Sequence, residues 1–138
     1  MIRKFRKKDL DQIVIQKEQA GEIVADDIPE NAETFIAGGV IVAVIWYVEI
    51  TPGRFALFSL INAKAGRCLF TFVKALKLII GNRARNLNAQ RLEMTVLAGF
   101  KNGEQLARLL GFEYEGTMRK VFRGKDYKLF ARILGDGE

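Results

Sequence analysis

The stretch VIVAVIWYVEITPGRFALFSLINAKAGRCLFTFVKALKLIIG, Val40–Gly81, changes its hydrophobic period part-way along, and that change decides the fold. Val40–Ile50 is dense in β-branched and aromatic side chains and too short to span a membrane, which reads as a buried central strand. Thr51-Pro52-Gly53-Arg54 is a turn, since proline presets φ and glycine supplies positive φ. Phe55–Asn62 then reads as the returning strand. From Arg67 the apolar positions become Leu69, Phe72, Val73, Leu76, Ile79 and Ile80. That is the spacing of one helix face, with Thr71 and Lys74 opposite and Gly81 as the expected stop.

Working outward, Thr34–Ala37 is a short strand joined to Val40 by Gly38-Gly39, a two-residue hairpin signal. Ile2–Arg6 alternates apolar and basic residues and reads as a strand. Asp9 with Gln12 resembles a capping box and predicts a helix bearing Leu10, Ile13 and Val14 that stops near Gly21. Glu22–Asn31 is acidic and proline-bearing, a loop with one helical turn. Downstream, Arg91–Leu97 alternates, with Leu92, Met94 and Val96 on one face. Asn102 with Gln105 is expected to cap a short helix carrying Leu106, Leu109 and Leu110, with Gly111 at its C-terminal cap. Tyr114–Arg123 and Tyr127–Leu134 close the chain around the Arg123–Asp126 turn. The order β-α, β-β-β, α, β, α, β-β, without repeats or low complexity, predicts one α+β domain over residues 1–138.

Composition removes several chemistries. With 138 residues the chain suits one domain, and one cysteine cannot make an internal disulfide. There is no histidine, which excludes Ser-His-Asp and Cys-His nucleophiles and any histidine-ligated metal. The basic N-terminus has no apolar segment behind it, and no run is long enough to cross a bilayer. A lone cysteine fits a reducing cytoplasm, so the expectation is a soluble cytoplasmic protein without metal. The net charge of +6 suits nucleic acid, an anionic membrane or a phosphorylated ligand, or is simply a solvated surface. Arg3, Lys4, Arg6, Lys7 and Lys8 form the densest basic patch, and Lys74, Lys77, Arg83, Arg85 and Arg91 add to it. Nucleic-acid modules pair such charge with exposed aromatics, whereas most aromatics here lie in runs that read as buried.

The junction Leu60-Ile-Asn-Ala-Lys-Ala-Gly-Arg-Cys68 carries the most chemistry. A strand runs through small residues into a long helix, whose first backbone amides and dipole suit a pyrophosphate. Gly66 would let the backbone approach an anion, and Lys64 and Arg67 would add charge. The alternative is a plain strand–helix connector. Neither a Walker A sequence nor G-x-G-x-x-G is present.

Three places resemble the GNAT superfamily of acyl-CoA-dependent N-acetyltransferases. Ile2-Arg3-Lys4-Phe5 with Asp9-Leu10-Asp11-Gln12-Ile13 looks like the family's first strand and helix. Val40–Asn62 leading into residues 63–68 and the following helix looks like its cofactor-binding core. Phe100–Arg119, with Leu110-Gly111-Phe112 at its centre, looks like its fourth helix and sixth strand, and with Gly124-Lys125-Asp126-Tyr127 and Phe130-Ala131-Arg132 is especially similar to GNAT-like proteins carried by bacteriophages. The resemblance covers nearly the whole chain. It implies a mixed, mostly antiparallel sheet flanked by helices and splayed near Asn62. It further implies acetyl-CoA held by Leu60, Ile61, Asn62, Lys64, Ala65, Gly66, Arg67 and Cys68, the pantetheine arm pairing with the backbone of Leu60–Asn62 as an added strand would. The acceptor would be an amine of a small molecule or a protein.

The departures from the family pattern are local. With Gly66 on the first glycine of the pyrophosphate loop, Ala63 stands where the family has arginine or glutamine, and Cys68 falls on a second small position. Ala107 stands where many members carry the tyrosine that protonates the leaving thiolate, and Phe100 where asparagine is common. Glu49, the one acid in the apolar run, is the general-base candidate, or else a strand-end carboxylate in water. Tyr114 is the replacement acid candidate, with Tyr47 and Tyr127 behind it; all three could equally be packing residues. Cys68 as an acyl-carrying nucleophile competes with a small core side chain. The rival readings are an inactive GNAT-like interaction protein and a basic nucleic-acid-binding module.

Overall fold

The computed structural model describes residues 1–23 and 25–135. Among them lie strands β1 (Ile2–Lys4), β2 (Glu33–Ala37), β3 (Val40–Thr51), β4 (Arg54–Ile61), β5 (Arg91–Leu97), β6 (Glu113–Phe122) and β7 (Lys125–Ile133). Two α-helices accompany them, α1 (Arg67–Asn86) and α2 (Lys101–Leu109). The strands form one sheet in the order β1-β2-β3-β4-β5-β7-β6. The β1/β2, β2/β3, β5/β7 and β6/β7 pairs are antiparallel, and β4/β5 is parallel through Arg54–Ala56 against Arg91–Glu93. This is an α+β fold with a mixed, mostly antiparallel sheet.

The chain falls into two compact units. The first holds Met1–Tyr47 and Phe58–Phe72, the second Val48–Leu57 and the chain from Val73 onward. In the first unit, Ile41–Trp46 is buried at every position, as a central strand of β-branched residues requires. Phe5, Ile13, Ile28, Ala32, Ile41, Val44, Trp46 and Leu60 form its core cluster. In the second, Leu76, Ile80 and Ala84 are the buried stripe of α1, and Leu92, Met94 and Val96 the buried face of β5.

Three local expectations are corrected. No α-helix runs from Asp9 towards Gly21; residues Lys7–Gln12 form a 3-10 turn instead. Asp9 accepts from the Arg6 amide at 2.9 Å as a cap would, but it is buried and also held by Arg3 and Thr34. Immediately after the turn come Ile13, Val14 and Ile15, three β-branched residues that disfavour helix, and Ile15 bridges Asn62 in strand fashion. Gly81 does not stop α1. It lies inside the helix, and a Cβ there would come within 2.9 Å of the Arg132 guanidinium, which donates to the Lys77 carbonyl. The stop is Asn88 at φ 57°, where Asn88 N–H meets Arg85 C=O and Ala89 N–H meets Ala84 C=O, the paired bonds of a Schellman motif. Asparagine ranks behind glycine in this left-handed position, which is why Gly81 drew the sequence reading.

The third correction is at α2, whose N-cap is Phe100 with no side-chain cap rather than Asn102. Its other end follows the expectation. Gly111 has φ 92°, its N–H meets Arg108 C=O, and Phe112 N–H meets Ala107 C=O. The hairpin signals at Gly38-Gly39 and Arg123-Gly124 also match the chain, all four residues having positive φ.

Candidate functional site

The end of β4, the 3-10 turn Ala63–Ala65, Gly66 and the first turn of α1 lie together in the first unit. Asn62 organises the junction. Its Oδ1 accepts from Val14 N–H at 3.0 Å and Lys64 N–H at 3.1 Å, and its Nδ2 donates to Gln12 C=O at 3.1 Å and Ile41 C=O at 2.8 Å. Those four bonds satisfy the buried carboxamide completely. Asn62 therefore positions the loop, and its side chain has no further bond to offer a ligand. Its main-chain N–H is likewise committed, to Val42 C=O at 3.0 Å.

Gly66 has φ 45° and ψ −118°, the first central position of a type II′ turn, where an L side chain is strained. It is exposed, and a Cβ built on it would find no atom within 4 Å. Open space thus borders the start of a 20-residue helix, where the dipole is positive and the Leu69 N–H is taken by Gly66 C=O at 3.2 Å. Lys64 is exposed beside it, whereas Leu60, Ile61 and Ala65 are buried and Cys68 half-buried. Arg67 opens the helix. The arrangement suits an anion: backbone amides, a glycine that keeps side-chain bulk away, and one adjacent cation.

Of the acid–base candidates, Glu49, Tyr114 and Tyr127 lie in the second unit and Tyr47 in the first. Glu49 is exposed on β3. Tyr114, on β6, is 49% exposed, its ring set edge-on to Phe130 and its hydroxyl 2.7 Å from Thr117 Oγ1. Tyr127 is buried and Tyr47, in the first unit, half-buried. Ala107 is 0% exposed, in the packed face of α2 with Leu106 and Leu110. A tyrosine there would overpack that face, so Ala107→Tyr is expected to lower stability by about 1–3 kcal/mol, read as a lower urea midpoint. An unchanged midpoint would show spare room beside the helix.

Much of the positive charge is engaged internally. Arg3 forks onto Asp9 through bonds of 2.9 and 2.7 Å. Glu93, 6% exposed on β5, accepts from both Arg54 and Arg91, and Arg91 continues to Glu115 at 2.6 Å. The Arg54 hydrogen bonds hold the Glu93 carboxyl below its ordinary range against the upward pull of burial. In α2, Glu104 takes Lys128 at 2.8 Å and Gly99 N–H at 3.2 Å, and is likewise held low. Glu93 lies on the face of β5 opposite Leu92, Met94 and Val96, and its partner Arg54 comes from 39 residues away. Lys4, Arg6, Lys7 and Lys8 remain exposed, Lys7 pairing with Asp26 at 3.0 Å. Among the described residues no His, Cys, Asp or Glu group is arranged to hold a metal, and no helix is long and apolar enough to cross a membrane.

No family model matches the sequence, and no curated protein does. Solved structures match it over almost its whole length. Ard1 from Thermoplasma volcanium is 15% identical over 99% of this chain and 98% of that one, with a TM-score of 0.77. A GNAT-family acetyltransferase from Bacillus anthracis is 14% identical over 96% and 93%, with a TM-score of 0.73. A ribosomal-protein α-N-acetyltransferase solved in complex with coenzyme A is 16% identical over 75% of this chain and 61% of that one, TM-score 0.62. The chain has the fold of the GNAT acetyltransferases.

Proposed function

We propose that this protein is an acyl-CoA-dependent N-acetyltransferase built as a single GNAT-type domain, transferring acetyl from acetyl-CoA to the amine of a small molecule or protein. The observation that carries the reading is the junction at Gly66: an exposed, glycine-only backbone position at the start of a long helix, at the end of the strand expected to receive the pantetheine arm. That solved neighbours of the same fold include an acetyltransferase holding coenzyme A supports it. Bound acetyl-CoA would supply an activated thioester. The chain's part is to hold the pyrophosphate on the first amides of α1 beside Lys64, and to keep the arm along β4.

In the transfer, the amine nitrogen bonds to the acetyl carbon and the carbon–sulfur bond breaks. The electron pair leaves on sulfur, which is protonated to the thiol. Glu49 is proposed to take the ammonium proton and Tyr114 to supply the thiol proton. A reducing cytoplasm is proposed as suiting the free Cys68, and the proposed likeness to bacteriophage GNAT-like proteins rests on Phe100–Arg119 with Gly124–Tyr127 and Phe130–Arg132. A second reading, a GNAT-fold binding protein without turnover, is favoured by the buried alanine at position 107.

Calorimetry with CoA and acetyl-CoA tests the cofactor claim, and a thiol-release assay with a panel of amines tests the reaction. Measurable binding with release is expected, and Tyr114→Phe should slow release by about 10²-fold or more while leaving binding unchanged. Binding without release from any amine would favour the second reading. No binding at millimolar ligand would refute the first.

A further inference from the structure

Lys17–Glu22 is a run of turns. Gln19 is pinned within it, its N–H bonded to Gln16 C=O at 2.9 Å and its C=O accepting from Glu22 N–H at 3.2 Å. That leaves the side chain as its outward reach. Nε2 donates to Ser59 C=O at 3.2 Å, and Oε1 accepts from Ile61 N–H at 3.4 Å. The direction of these two groups follows from the strand. Asn62 N–H points to Val42 on β3, and successive residues of a strand direct their polar groups to opposite edges. Ile61 N–H and Ser59 C=O therefore belong to the edge of β4 turned away from β3. A donor and an acceptor two residues apart on one edge are what a neighbouring peptide would pair with. Here a primary carboxamide pairs with them.

We propose that Gln19 is a latch on β4: its carboxamide occupies the donor–acceptor pair that a pantetheine amide would use, and cofactor entry exchanges one amide for the other and releases the Lys17–Glu22 turn. This rests on the acetyl-CoA reading above. The exchange is chemically even, amide for amide. Bonds of 3.2 and 3.4 Å lie at the long end of the hydrogen-bond range, so the latch is held weakly enough to open. While it is closed it competes with the ligand and lowers the apparent affinity by the fraction of molecules in which the edge is free. It also spares Ile61 an unpaired buried N–H, which a vacant edge would leave.

The test is CoA titration by calorimetry on the wild type, Gln19→Ala and Gln19→Met, with amide hydrogen exchange at Ile61. The methionine variant keeps the length of the side chain without its donor and acceptor, so the test survives an alanine variant that fails to fold. Both variants are expected to bind CoA about tenfold tighter, the scale of two weak neutral hydrogen bonds, and to exchange the Ile61 amide faster without ligand. Equal affinity in all three proteins would overturn the latch and leave the acetyl-CoA reading standing. Weaker binding in both variants would make Gln19 a ligand contact and overturn it too. No binding by any of the three would overturn the acetyl-CoA reading, and the latch with it.

Discussion

Gly66→Val is expected to abolish CoA binding at concentrations that saturate the wild type, a loss of at least about 100-fold. Two effects act together. The φ, ψ pair of 45° and −118° belongs to glycine, and a β-branched residue held there is strained by about 1–3 kcal/mol. Relief of that strain would rotate the peptide planes that open α1 and re-aim the amides proposed to meet the pyrophosphate. If the backbone instead held, the valine methyls would enter the open space beside the helix start, since nothing within 4 Å of the Cβ resists them. Gly66→Ala separates the contributions, because it shares most of the backbone strain and adds little bulk. Calorimetry reads the affinity and urea denaturation the stability. A valine variant that is destabilised yet binds CoA as the wild type does would place the cofactor elsewhere.

The second large effect concerns the framework. Asp9 is 2% exposed and is held by both Arg3 nitrogens, the Arg6 amide and the Thr34 hydroxyl, the last at 2.7 Å. Burial pushes its carboxyl up, but the Arg3 guanidinium, the Arg6 amide and Thr34 together draw it down to about 2. Asp9→Ala leaves a half-buried guanidinium, a hydroxyl and an amide without their acceptor, and is expected to cost about 3–5 kcal/mol. Against a total of about 5–15 kcal/mol for an ordinary domain, the urea midpoint should fall by about a fifth or more. The pH dependence has a definite sign. A carboxyl whose folded pKa is depressed contributes stability above its unfolded value of 3.8, and that contribution disappears as pH falls through about 2. The gap is worth about 2 kcal/mol. The gap between wild type and variant should therefore narrow by about 2 kcal/mol on acidification towards pH 2. A constant difference down to that pH would show that the carboxylate charge is not what Asp9 supplies.

What could be read beforehand, and what could not, divides by range of interaction. The meander from Val40, the entry into α1 and the Gly111 cap depend on residues a few positions apart, so pattern and turn chemistry sufficed. Asp9 carried a local signal, the capping box, and was misread because its main partners, Arg3 and Thr34, come from two strands. Asn62 showed as the last residue of a strand and a cofactor-contact position, yet its side chain ties Val14 and Gln12 across 48 and 50 residues. Gln19 had no pattern at all, for a glutamine in a polar turn looks like any solvated residue until β4 is laid beside it. In the candidate site, the helix start and its glycine were legible. The hydrogen-bonding commitments that decide which groups remain for a ligand were not.

The outermost strand of the second unit, β6, has a consequence for the protein's behaviour at high concentration. Its pairing with β7 slips twice, between Tyr114 and Gly116 and between Met118 and Phe122. Lys120 sits within the second slip at φ 52°, its N–H turned onto the Asp126 carboxylate at 2.8 Å. Glu113, Glu115, Arg119 and Lys120 place charges of both signs along the same exposed rim. A foreign strand seeking to zip onto that rim would meet an irregular ladder and bury charge at Glu113, Glu115, Arg119 and Lys120. The ten-residue strand thus resists seeding a fibril through its bulges and charges, although Tyr114, Val121 and Phe122 stand exposed on it. Substitutions that straightened the ladder there, or that traded its charges for valine or isoleucine, would threaten its solubility before they touched its fold.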